Sequence, residues 1–261
     1  MKINQKKKWL FIMAAVVFAC LLLAKPGWYA WQDITFYWTE RTETELQVKA
    51  YAEEMGISIG RYPQSMIELL ERNPETERFV LEYPFREKRE VDLSGYERAD
   101  AVPLFLQWDS QWGYEKYGSD VIGITGCGPT CLAMAGYYLT GETRFSPDKV
   151  AEFARRNGYY EPGYGSSWTL ISEGGEKLGL TVTELPLVKK RMVKALEAGN
   201  PVILALGAGD FTTTGHYIVL TGVEDGQFRV NDPNSVKNSQ KLWSYELLEG
   251  QIRNIWEIRK A

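Results

Sequence analysis

A cysteine lies between two glycines in Gly126-Cys127-Gly128-Pro129-Thr130-Cys131, and an apolar, helix-forming run follows at once. Glycine lets the backbone turn tightly and lets a neighbour approach closely. Proline suits the first turn of a helix, where its missing N–H removes nothing. Cys127 is therefore predicted at a helix start, where free N–H groups and the helix dipole favour a thiolate. A thiol nucleophile needs a base, and the chain has one histidine, His216. Any imidazole-dependent chemistry must use it, and a multi-histidine metal site is excluded. Asp232 closes a strand that returns to the histidine strand through a hairpin turned at Asp225-Gly226, so the two side chains come within reach across the pair. Imidazole would take the thiol proton, while the carboxylate fixes the tautomer and supports the imidazolium. Asn231 would orient the ring equally well, but the two-residue strand period turns it to the opposite face from Phe228, Val230 and Asp232. Singly, these residues read as a buried small hydrophobe, a structural histidine and an Asp-Pro turn. Their joint occurrence carries the weight.

The elements that position them have the order of an α+β domain. Val102-Pro103-Leu104-Phe105-Leu106-Gln107 is a short extended segment, and a loop rich in Trp, Tyr and Gly leads from Trp108 to Thr125. The cysteine helix is predicted to run to Leu139 and end near Gly141. Ser146-Pro147-Asp148 marks the next helix start, an N-cap followed by proline. Further helices are expected from Ser166-Ser167 to Leu178 and from Leu187 to Ala198. Strands follow: Pro201 to Leu206 as a continuous apolar run, His216 to Gly222, Phe228 to Asp232, and Ile252 to Ile258. Cys131, one turn beyond Cys127, reads as a small core-facing residue, because a disulfide at i,i+4 within a helix is geometrically poor. Trp168 either lines a cleft or packs near a helix start.

Composition bounds the rest. A chain of 261 residues with 44% hydrophobic and 13% aromatic residues can bury a core. A net charge of −4 leaves no basic surplus for phosphates, so nucleic acid is not an expected partner. Cys20, Cys127 and Cys131 make neither a disulfide framework nor a zinc ribbon, and no cofactor is called for. Lys2, Lys6, Lys7 and Lys8 precede an apolar run from Trp9 to Ala24 that is shorter than the roughly 20 residues of a full span. Trp28, Tyr29 and Trp31 would extend it at headgroup level. Residues 1–27 are read as an uncleaved single-pass anchor with everything beyond it extracytoplasmic. The alternative is a signal segment removed on secretion. Cys20 reads as an apolar residue of the span rather than a lipoprotein cysteine, since Leu21-Leu22-Leu23 continues the run. Residues 28–101 carry helix-forming stretches from Ile34 to Glu54, after Tyr62-Pro63 and after Pro74. They read as a helical extension or spacer ahead of a catalytic domain at 102–261.

At Val102-Pro103…Gln107, Gly126-Cys127-Gly128-Pro129-Thr130, Gly199-x-Pro201-Val202-Ile203, Gly215-His216-Tyr217 and Asp232-Pro233 the chain resembles the peptidase C39-like family, cysteine peptidases of papain-like fold. The resemblance implies a helical half carrying the nucleophile Cys127 and an antiparallel sheet carrying the base His216 and the orienting Asp232. It also implies a glutamine upstream of the cysteine that helps hold the oxyanion. Gln107 fits by following the Val-Pro segment, with Gln111 as the alternative. Family members that trim double-glycine leaders are typically fused to an export ATPase, and this chain has no Walker motif, so that specificity does not carry over. The expected function is a membrane-anchored, extracytoplasmic thiol peptidase acting on peptide or protein substrates. A cell-wall peptide amidase with the same triad and a catalytically silent binding module are the alternatives.

Overall fold

The structure is a computed structural model. It describes residues 40–96, 101–163 and 165–261, and ahead of them residues 28, 29, 31–33 and 36. The anchor expected over residues 1–27, Cys20 included, lies outside the described residues. Among those described, no helix is long and apolar enough to cross a membrane. The chain divides after Phe85 into two compact units.

The first unit is helical, with α1 (Glu43–Glu54), α2 (Gln64–Arg72) and α3 (Glu77–Glu82). Thr42 starts α1 with a capping box: its hydroxyl accepts from the Glu45 amide, and the Glu45 carboxylate accepts from the Thr42 amide. Met66, Ile67, Leu69 and Leu70 of α2 are buried, as are Phe79 and Val80 of α3. The nearly buried Lys49 donates to Asp33 at 2.9 Å, so its ammonium is not left unpaired.

The second unit runs β1 (Lys116–Tyr117), β2 (Asp120–Val121), α4 (Ile122–Thr125), α5 (Cys127–Thr140), α6 (Pro147–Arg156), β3 (Tyr160–Glu161), β4 (Gly165–Ser166), α7 (Ser172–Lys177), β5 (Leu180–Glu184), α8 (Lys189–Glu197), β6 (Val202–Leu206), β7 (His216–Glu224), β8 (Gln227–Asn231), α9 (Val236–Ser239), β9 (Leu242–Trp243), α10 (Tyr245–Leu248) and β10 (Ile252–Lys260). Six of these strands form one antiparallel sheet in the order β5-β10-β6-β7-β8-β9. Helix α5 packs on one face, over Ala205, Tyr217, Val219 and Trp256. Helix α8 packs on the other, where Met192 joins Leu204, Ile218 and Leu220. Because both faces are covered, β6 is buried at every position, which explains its unbroken apolar sequence.

The structure departs from the sequence expectations in several places. Val102 to Leu106 pairs with no strand. Pro103 has no N–H for a ladder, and the carbonyls of Val102 and Pro103 are instead taken by the Asn231 side chain at 3.0 and 2.9 Å. The helix expected from Ser166 to Leu178 is a short 3₁₀ turn at Trp168–Leu170 followed by α7. Strand β5, at the sheet edge on β10, and the small hairpin of β3 with β4 were not anticipated. The charged stretch before Val102 also contributes to the core of this unit. Leu93 is buried, and the Tyr96 ring meets Phe105 edge-on at 4.8 Å.

Candidate active site

Helix α5 begins at Cys127, so the cysteine amide has no carbonyl within the helix to bond. The Thr130 hydroxyl and amide both bond the Gly126 carbonyl, at 2.7 and 3.0 Å, and fix this first turn. The helix start must also come close to β4. A Cβ on Gly128 would lie 2.7 Å from Ser166 Cβ, so no larger residue fits without moving the cysteine turn. Ser166 is itself held by Tyr117 and Tyr217. The Tyr117 hydroxyl pairs with Ser166 Oγ at 2.7 Å, and the Tyr217 hydroxyl donates to the Ser166 carbonyl at 3.1 Å. Burial pushes both phenols well up, so they remain protonated partners.

His216 opens β7 and Asp232 follows β8, and their side chains meet with Nε2 2.7 Å from Oδ1. The reason lies in the register of the hairpin. Asp225, at φ 50°, and Gly226, at φ 74°, form its turn. From the turn the pairs run Glu224↔Gln227, Val223↔Phe228 and Gly222↔Arg229, then shift to Leu220↔Val230 and Val219↔Asn231. Thr221 is thus an extra residue on β7. Continued by one step, this register sets Asp232 opposite Ile218, two positions from His216 on the same face, a diagonal pair. Had the register of the turn persisted, Asp232 would lie opposite Val219 and face away, and Asn231 would share the face of His216. The bulge selects the carboxylate.

Asp232 is 1% exposed and its oxygens are fully engaged. Oδ1 also accepts from the Asn234 amide, and Oδ2 accepts from Asn238 Nδ2, both at 2.8 Å. The Asp232 amide donates to Ser239 Oγ at 2.9 Å. Sequence reasoning missed Asn238 and Ser239, although Asp232-Pro233-Asn234-Ser235 carries an Asx-turn and helix-start signal that pointed to a local cradle. With Nε2 on the carboxylate, Nδ1 is the ring nitrogen left for Cys127, which lines the same cleft as His216. Burial alone would lower the pKa of His216. The Asp232 charge and hydrogen bond, helped by Cys127, outweigh it and push the imidazole up to about 10. The ring is therefore held as an imidazolium at neutral pH.

Cys127 and His216 open on a cleft of about 430 Å³. Trp168 lines it, half exposed, with its ring edge-on to Trp256 at 6.1 Å. Gln107 is buried and is not one of the lining residues. Its backbone amide donates to the Pro233 carbonyl at 2.7 Å, and its Nε2 donates to the Gly123 carbonyl at 2.9 Å, in the turn before the cysteine. The Gln111 side chain is instead drawn to the surface, where its oxygen accepts from the Asp92 amide at 2.8 Å. Cys131 is fully buried and its thiol is pushed well up, first by burial and then by the charges near it. Both Cys127 and Cys131 are free thiols. Among the described residues no group of acidic, cysteine and histidine side chains is arranged to hold a metal ion.

A cysteine at a helix start, facing a histidine braced by a buried aspartate in an α+β fold, is an arrangement suited to thiol hydrolysis. Residues 99–261 match the model of the Peptidase_C39 like family, more than half of the chain, and the chain belongs to that family. Membership points to a peptidase. Among solved structures, the peptidase domain of Streptococcus ComA, a bifunctional ABC transporter involved in a quorum-sensing pathway, is 21% identical, with a TM-score of 0.40 over 52% of this chain and 93% of that one. A putative C39-like peptidase from Bacillus anthracis is 17% identical, with a TM-score of 0.37 over 61% of this chain and 95% of that one. No curated protein matches.

Proposed function

We propose that the chain is a cysteine peptidase in which Cys127 is the nucleophile, His216 the acid and base, and Asp232 the residue that orients and charges the imidazole. The observation that carries this reading is the buried 2.7 Å contact of His216 with Asp232 beside the thiol at the start of α5. Cys127 Sγ, its proton passed to His216, attacks the carbonyl carbon of a peptide bond, forming a C–S bond and an oxyanion. His216 gives its proton to the departing amine as the C–N bond breaks, leaving a thioester and a neutral ring. Water then attacks the thioester while His216 takes its proton, and the acid product leaves as the C–S bond breaks. The oxyanion is held by the Cys127 amide and by Gln107, whose Nε2 has a second hydrogen besides the one given to Gly123. The position of Gln107 beside the turn before Cys127 favours it over Gln111 for this role.

The substrate is a peptide or protein rather than nucleic acid, given the net charge of −4. The lysines and apolar run at the N-terminus support a single-pass membrane anchor that holds the catalytic domain (102–261) outside the cytoplasm, with residues 28–101 as its spacer. Incubation of the chain with a peptide library, and sequencing of the new termini, tests the central reading. Discrete cleavage products are expected with the native chain and none with Cys127→Ala. The same products from both would overturn it.

A further inference from the structure

The cleft beside Cys127 has a charge pattern that catalysis does not use. Its one carboxylate is Glu161, and no lysine or arginine lines it. Glu161 is exposed and, among the described residues, makes no ion pair. Its place is set by the small hairpin, where Glu161 pairs with Gly165 and Tyr160 with Ser166. Ser166 is the residue against which Gly128 packs, so the hairpin ties Glu161 to the turn that carries the nucleophile. Trp168, 49% exposed, presents an indole in the same cleft.

A carboxylate without an ion pair and a half-exposed indole in one cleft suit a cation, which a carboxylate attracts and an aromatic face stabilises. Resting on the peptidase reading, we propose that Glu161 and Trp168 form a specificity subsite for a lysine or arginine side chain of the substrate, close to the bond that Cys127 attacks. Acidic side chains at that position are disfavoured by the same charge.

The test has two arms. In the library digest, lysine and arginine are expected to outnumber glutamate and aspartate at one position near the cut. Glu161→Gln should lower that preference by about 2–5-fold, the range expected for an exposed charge contact, and Glu161→Lys should reverse it. In the second arm, capped alanine-based hexapeptides with a central lysine or a central glutamate are titrated into the Cys127→Ala chain and followed by tryptophan fluorescence. The lysine peptide should bind more tightly, the difference should shrink in added salt, and Glu161→Gln should remove most of it. Trp168→Phe should weaken the lysine peptide selectively. A Glu161-dependent preference in binding without any cleavage would support the subsite and count against hydrolysis. Equal binding of both peptides, or a preference unchanged in Glu161→Gln, overturns the subsite and leaves the peptidase reading intact.

Discussion

Replacing His216 with alanine is expected to lower kcat/KM for peptide hydrolysis by about 10⁴-fold or more, in line with the loss of a base from a catalytic triad. The chain has no second histidine to take over. The loss has two sources: the thiol proton has no acceptor, and the departing amine has no donor. Removing the ring also leaves Asp232 as a buried carboxylate without its cation, which destabilises the fold. The measurement is therefore paired with His216→Gln, whose amide keeps a donor near Oδ1 while supplying no base. Both variants, assayed at a temperature where each is folded, should show the same collapse of activity. A loss of less than about tenfold in a folded His216→Gln chain would be far below the 10²–10⁴-fold worth of a general acid–base and would remove the histidine from the mechanism.

Asp232→Asn is expected to lower kcat by about 10²- to 10⁴-fold, the upper figure being that of an aspartate-to-asparagine change in a serine-protease triad. Its more specific signature is in the pH profile. The native pair holds His216 as an imidazolium up to about 10, so the alkaline limb of activity lies near that pH. Without the carboxylate charge, burial lowers the imidazole pKa, and the limb should move toward acid. Stability follows with a defined sign. Because the folded-state pKa of His216 is raised above its ordinary 6.5, the folded chain holds a proton that the unfolded chain releases. The stabilisation is fully present below pH 6.5 and is lost as pH rises through about 10. Melting temperatures measured across that window should fall in the native chain and stay flatter in Asp232→Asn. Parallel curves would mean that the pair is not charged as described.

The residues of the candidate site were more legible in the sequence than the architecture. A unique histidine, a cysteine at a Gly-Pro helix start and an Asp-Gly hairpin are local signals, and local signals are legible one residue at a time. The hairpin alone does not decide the partner of His216, however. The bulge at Thr221 does, and Gly222 inside the strand was the one local mark of it, read only as the end of the strand. The segment at Val102 looked like a strand because its apolar residues are buried, but its carbonyls are satisfied by Asn231 from across the unit. Strand β5 begins at Leu180 and has only partly buried interior positions at the sheet edge, so its periodicity is weak. Leu93 and Tyr96 sit in a charged stretch whose composition hides their packing. Glu161 is one acidic residue among many until β3 and β4 bring it to the cleft.

The central claim is that the Cys127 thiol is activated by His216, and labelling by a peptidyl halomethyl ketone near neutral pH tests it most directly. Adduct positions are read by mass spectrometry. The expected result is rapid modification of Cys127, with buried Cys131 untouched, no such adduct in Cys127→Ala, and labelling slowed by orders of magnitude in His216→Ala. Cys127 labelled at the same rate with and without His216 would contradict the account.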